Sequence, residues 1–279
     1  MKNKRRLILL FIRTALLLIV IVCLFKMGQT YYLSVKHEKE LANLRNILRT
    51  AESAVKWGEL NGQEYKAETI SDALSSEITT DILEQEPEIM EKFKSLYAEN
   101  NELIGWLSIP ETTIDYPVMQ NEDNEYYLHH NFYGEEDKYG CLFVKGFVDV
   151  NTPGTNFIIY GHNMKDGSMF GELDEYKDES FCREHPLIYF DTLYEEQTYE
   201  VIAVFLSRVY ESDDDVFKYY EFYQADTEDE FLSFYNAVKD MSLYETEVTA
   251  EFGDTFLMLS TCAYHVDDGR LVVLAKKIS

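Results

Sequence analysis

From Leu103 onward the chain breaks into eight short apolar runs divided by turn residues, and this pattern most narrows what it can fold into. The runs are Ile104–Ile109, Ile114–Met119, Cys141–Val144, Phe157–Tyr160, Leu187–Phe190, Tyr199–Val209, Thr255–Ser260 and Arg270–Lys276. Pro110, Pro117, Asn131, Gly134, Pro153-Gly154, Gly167 and Asp267-Asp268-Gly269 punctuate them. Eight strands within one domain predict a barrel or sandwich rather than a series of βαβ units. One helix is expected late in the series. Thr227 followed by Glu230 spells a capping box, and Phe231, Phe234, Tyr235 and Val238 make its apolar face.

The residues ahead of the strands read differently. Leu7 to Phe25 is apolar apart from Arg13 and Thr14, about the length that crosses a bilayer. Lys2, Lys4, Arg5 and Arg6 precede it, which predicts an N-terminus inside and the rest of the chain outside. No small-residue cleavage site follows, so residues 7–26 read as a retained signal anchor after a basic tail at 1–6. Tyr31 to about Gly58 reads as a helix with an apolar stripe at Leu41, Leu44, Leu48, Ala51 and Val55. The stripe suits a stalk packed on the domain, and a dimer seam is the alternative. Residues 59–80 read as a linker, and Pro87 is placed in the first turn of a short helix with Ile89, Met90, Phe93, Leu96 and Tyr97 on one face. The expected layout is a helical stalk over 27–98 and a catalytic β domain over 99–279.

Charge supports this layout. The chain carries net −26, yet residues 1–30 hold six basic and no acidic residues, leaving −32 for the remainder. That excludes nucleic acid as a natural partner. Of four cysteines, Cys23 falls in the apolar span, so Cys141, Cys182 and Cys262 remain outside it and at least one thiol is free. There is no CxxC pair, no glycine-rich phosphate loop and no internal repeat, and no metal or cofactor is expected.

Two of the runs end on reactive side chains. Asp254-Thr-Phe-Leu-Met-Leu-Ser-Thr-Cys262 stops on a cysteine, and Asn156-Phe-Ile-Ile-Tyr-Gly-His162 stops on a histidine; Arg270 opens the next run. A thiol needs a base or cation to act as nucleophile. An imidazole can relay a proton to a leaving amine, and a guanidinium can hold a developing oxyanion. Bland readings stand beside these. A cysteine at a strand end is also a small buried hydrophobe. His162 could cap a turn, and Arg270 could pair with Asp267 or Asp268. His265 is a rival base in a polar turn. His129-His130 with Cys141 lacks zinc spacing. Asp213-Asp214-Asp215 lacks the spaced ligands of a calcium loop.

The ordered set Tyr160-Gly-His162-Asn163, Leu259-Ser-Thr-Cys262 and Arg270 resembles the sortases, cysteine transpeptidases of Gram-positive cell surfaces. The resemblance covers about residues 100–279. Gly105-Trp-Leu-Ser-Ile-Pro110, Tyr116-Pro-Val-Met, Asn124-Glu-Tyr-Tyr-Leu128 and Gly161-His-Asn-Met with Phe170 are similar to class B in particular. The resemblance implies an eight-stranded β-barrel with N-terminal helices and a helix inserted before the Cys strand. It implies that Cys262 attacks the threonine carbonyl of a sorting motif in an exported protein, giving a thioacyl intermediate that a peptidoglycan amine resolves. His162 would be general acid/base and Arg270 the oxyanion and substrate holder. Asn124, Leu128, Tyr160, Ser260 and Thr261 would line the substrate groove. The enzyme would work at the cell membrane with its catalytic domain outside. A cysteine endopeptidase that releases its acyl group to water, and a non-enzymatic anchored interaction module, are the competing readings.

Overall fold

The computed structural model describes residues 2–61 and 87–279. The linker expected at 59–80 therefore lies almost wholly outside the described residues. The chain divides into two units, Met1–Asn46 and Ile47–Ser279. Helix α1 (Lys2–Asn61) makes up the described part of the first unit and opens the second. Its stretch Arg13–Trp57 is long and apolar enough to cross a membrane, and none of its most apolar window is buried. The side chains from Leu16 to Phe25 all face outward. An apolar surface of this size is unstable in water, which fits the reading of Leu7–Phe25 as a span. Within the second unit, Leu48 is buried, Ala51 and Val55 are half-buried, and Arg49 Nη2 reaches Asp115 Oδ2 at 3.4 Å. That part of the stripe packs on the domain.

Helix α2 (Glu91–Glu99) buries Phe93 and Leu96. Pro87 is not in its first turn as expected. Residues 87–90 lie in no helix; Met90, with φ of −53° and ψ of 137°, is the cap, and Met90 N donates to Leu193 O at 2.7 Å. That backbone bond to Leu193, a hundred residues along the chain, ties Met90 outside the helix in which the sequence placed it.

All eight expected strands form. They are β1 (Leu103–Ser108), β2 (Asp115–Gln120), β3 (Leu142–Val144), β4 (Asn156–Tyr160), β5 (Leu187–Thr192), β6 (Thr198–Arg208), β7 (Phe256–Cys262) and β8 (Gly269–Lys277). They close into a barrel in the order β1-β2-β3-β4-β7-β8-β6-β5. The pairs β2–β3 and β4–β7 are parallel and the rest antiparallel. Parallel neighbours need long crossovers. The first carries the short helix α3 (Tyr126–His129). The second carries a 3-10 turn at Gly171–Lys177, helix α4 (Glu179–Glu184), β5 and β6. It ends with a second 3-10 turn at Tyr219–Glu221 and helix α5 (Glu228–Met241). Sequence periodicity showed only α5 among these helices. Three to seven residues are too few to display a 3.6-residue period.

The capping box at the start of α5 is present in full: Thr227 Oγ1 accepts from Glu230 N, and Glu230 Oε2 accepts from Thr227 N. The helix buries Phe231, Phe234 and Val238 against Ile158 of β4, Phe256 and Met258 of β7, and Val272 and Leu274 of β8. The intervening residues of those strands, among them Ile159, Leu257, Leu259, Leu271 and Val273, are buried as well. Strands covered on both faces must be apolar at every position, so these runs do not alternate.

Candidate functional site

The site is built at the ends of β4 and β7. Their parallel register runs Asn156↔Phe256 to Tyr160↔Ser260. Gly161 N continues the ladder by donating to Ser260 O at 3.2 Å. Two residues beyond each registered partner stand His162 and Cys262, so parallel pairing brings level two residues a hundred apart in sequence. Two side chains lash the strand ends further. Thr261 Oγ1 donates to Gly161 O at 2.8 Å, and Asn163 Nδ2 donates to Cys262 O at 2.8 Å. Gly161 is required by space. A Cβ there would stand 2.5 Å from Leu142 Cδ2 and 2.7 Å from Phe170 Cδ2.

The third member arrives through the β7–β8 hairpin, in which Cys262 and Arg270 are a direct cross-strand pair. Side chains at such positions are immediate neighbours. Ala263 N donates to Gly269 O at 2.9 Å and closes the loop, whose residues Tyr264 to Asp268 are exposed. Arg270 does not pair with Asp267 or Asp268 through their carboxylates. Its Nη1 donates to the backbone carbonyls of Asp268 at 3.2 Å and Gly269 at 2.9 Å. Among the described residues those are its only hydrogen bonds, which leaves the rest of the guanidinium fork for a ligand oxygen.

His162 is half-buried, and its Nε2 lies 2.8 Å from Leu128 O. A carbonyl only accepts, so Nε2 carries the hydrogen and Nδ1 is the nitrogen that gains or gives a proton. Leu128, expected in the substrate groove, thus orients the imidazole through its backbone. Cys262 is half-exposed, whereas Cys141 and Cys182 are buried and burial pushes the Cys182 thiol pKa up. Only a reachable thiol can act as a nucleophile. The bland reading as a buried hydrophobe suits those two better than Cys262.

The other groove candidates divide. Tyr160 is half-buried with its hydroxyl enclosed and unbonded among the described residues, and burial pushes its pKa up. Asn124 is exposed, and its Oδ1 accepts from Gly146 N at 2.8 Å. The Ser260 and Thr261 side chains are buried and bonded inside the fold, Ser260 Oγ to Tyr219 OH at 2.8 Å and Thr261 Oγ1 to Gly161 O. Neither offers a free hydroxyl. The rival base His265 lies in the exposed hairpin loop. His130 stacks on Tyr126 and places Nδ1 on the Tyr126 carbonyl at 2.8 Å. Asp214 Oδ2 accepts from Glu211 N, forming an ordinary acidic turn. Sequence reasoning gave no role to Asn163 or Tyr219. Asn163 stood in the Gly-His-Asn motif, but only the parallel register reveals that its amide reaches Cys262.

A half-exposed thiol, an imidazole with a fixed tautomer and a partly free guanidinium on one barrel edge define a site equipped for acyl transfer through a cysteine. Comparison with known proteins agrees. The Sortase domain family matches residues 107–278. Sortase B of Listeria monocytogenes is 37% identical over 199 residues, covering 69% of this chain and 76% of the relative. Sortase B of Staphylococcus aureus is 29% identical over 189 residues, covering 67% and 75%. A crystal structure of sortase B from Bacillus anthracis aligns with TM-score 0.68 and 32% identity, over 88% of this chain and 97% of that one. The chain belongs to the sortase family of cysteine transpeptidases, in its class B branch.

Proposed function

We propose that this chain is a membrane-anchored sortase B that joins exported proteins to the cell wall, with Cys262, His162 and Arg270 as its catalytic residues. The observation that carries the reading is the cross-strand pairing of Cys262 with Arg270, level with His162 on the parallel neighbour. In the first half-reaction the Cys262 thiolate attacks the carbonyl of a threonine in a C-terminal sorting motif. A carbon–sulfur bond forms, and the carbonyl oxygen takes up charge beside Arg270. The peptide C–N bond then breaks, and the departing amine receives a proton from His162 Nδ1. In the second half-reaction a peptidoglycan amine gives a proton back to Nδ1 and attacks the thioacyl carbon. The new amide leaves and Cys262 returns as thiolate. Water in place of the amine would make the same enzyme a cysteine endopeptidase, so the acceptor decides between the two outcomes.

Asn124, Leu128, Tyr160, Ser260 and Thr261 border the substrate path in this reading, Ser260 and Thr261 through their backbone. Residues 7–26 hold the protein in the membrane with residues 1–6 inside and the catalytic domain, 99–279, outside. Lys2, Lys4, Arg5 and Arg6 set that orientation.

The test is incubation of the protein with sorting-motif peptides and an amine such as a glycine peptide or diaminopimelate, with products read by mass spectrometry. The expected result is cleavage after threonine with amide formation, abolished in Cys262→Ala. Free acid alone would favour the endopeptidase. No turnover of any peptide, with Cys262 inert to alkylating reagents, would favour an interaction module.

A further inference from the structure

The His162 imidazole has no carboxylate to orient it. Among the described residues its one side-chain hydrogen bond is to the Leu128 carbonyl, 2.8 Å from Nε2. That carbonyl belongs to α3, and four residues are too few for a helix to hold its shape alone in water. The tautomer of the candidate base therefore depends on what holds α3.

Tyr127 is the one buried side chain of α3, only 2% exposed. Its hydroxyl donates to Glu102 Oε2 at 2.5 Å and accepts from Asn100 Nδ2 at 3.1 Å. Burial pushes the phenol pKa up and the bond to Glu102 adds to this, so the hydroxyl stays a donor. Glu102 is itself held at three points. Its Oε1 accepts from Asn121 Nδ2 at 2.5 Å, its backbone N donates to Asn100 Oδ1 at 2.9 Å, and its backbone O accepts from Gln120 N at 2.9 Å. Asn100 caps α2, Gln120 ends β2 and Asn121 follows it. Tyr127 thus ties α3 to the frame of the barrel.

The loop leading into β3 meets α3 backbone to backbone. Tyr127 O accepts from Cys141 N and His129 O from Asp137 N, both at 2.8 Å. A Cβ on Gly140 would stand 2.3 Å from Tyr127 O and 2.9 Å from Leu128 O. The Leu128 carbonyl is therefore close to this loop as well as to His162, and a small tilt of α3 would move it off the imidazole. We propose that Tyr127 and Glu102 are positioning residues of the transfer reaction: their bond keeps Leu128 O on His162 Nε2, and so keeps Nδ1 open toward the leaving and entering amines. This rests on the transpeptidase reading and adds two residues that touch no substrate. Catalytic groups need placement to a fraction of an ångström, which supporting hydrogen bonds supply.

The test reads tautomer and turnover in the full-length protein in detergent, labelled with ¹⁵N-histidine. The His162 signals are those lost in His162→Gln. In the neutral wild-type imidazole Nε2 should carry the hydrogen; in Tyr127→Phe and in Glu102→Ala a share of it should move to Nδ1. With a cleaved sorting peptide and an amine, each variant should lose roughly tenfold in kcat with little change in KM, since the lost geometry acts on the transition state and not on peptide binding. The double variant should lose no more than either single one, because both cut the same tether. Glu102 is half-buried, so Glu102→Ala carries the prediction if Tyr127→Phe fails to fold. Turnover near wild type in both variants, losses that multiply in the double variant, or a kcat loss with the tautomer unmoved would each overturn the positioning role and leave Tyr127 as packing. A wild-type enzyme that turns over no peptide overturns the transpeptidase reading instead, and the tautomer comparison still decides whether the tether holds His162.

Discussion

At the scale of single residues the site depends on which atoms are already committed. Leu128 O fixes the hydrogen of His162 on Nε2. In ¹⁵N-resolved NMR of the neutral imidazole, Nε2 should therefore carry the proton and Nδ1 should have the shift of an unprotonated nitrogen. The reverse pattern would remove Nδ1 as the proton carrier. Arg270 spends Nη1 on two carbonyls of its own turn and keeps the rest of its fork. Lysine carries the charge but not that geometry. Arg270→Lys should lower kcat/KM roughly 10²-fold or more, the usual cost of losing an oxyanion donor. Activity within a few-fold of wild type would reduce Arg270 to a structural residue. Cys262, His162 and Arg270 were legible because they end or begin apolar runs and resemble a family motif. The commitments of Ser260 and Thr261 were not, since a buried hydroxyl and one lining a groove have the same letter.

At the scale of elements, eight strands were legible because those nearest the site are covered on both faces and read as unbroken apolar runs. Helix α5 was legible through Thr227 and Glu230. The helices α3 and α4 were too short to show a period, and Met90 is tied outside α2 by a backbone bond to Leu193 that no local pattern encodes. The β4–β7 pairing is the decisive hidden feature, because its partners lie a hundred residues apart. Helix α5 covers the outer face of that pair. Thr227→Ala removes half of the capping box and should cost about 1 kcal/mol. For a domain of this size that is a fall in Tm of roughly 2–4 °C. An unchanged Tm would mean that packing of Phe231, Phe234 and Val238 holds α5 without its cap.

At the scale of the molecule, an apolar, basic N-terminal segment precedes a strongly acidic domain. The remainder after residue 30 carries −32, enough to raise the local concentration of cationic partners at low ionic strength. For a cationic amine acceptor or a basic peptide, kcat/KM should fall as salt rises, because exposed charges are screened within about 10 Å at 0.1 M. A rate flat in salt would leave the charge as a solubility device.

The central claim is that Cys262 carries the acyl group between the two half-reactions. The most direct measurement is the intact mass of the protein after incubation with a cleaved sorting peptide and no amine, followed by peptide mapping. The account predicts an added mass equal to the peptide up to its threonine, mapped to Cys262 and discharged when an amine is supplied. An adduct on Cys141 or Cys182, or cleavage that proceeds equally well in Cys262→Ala, would contradict it.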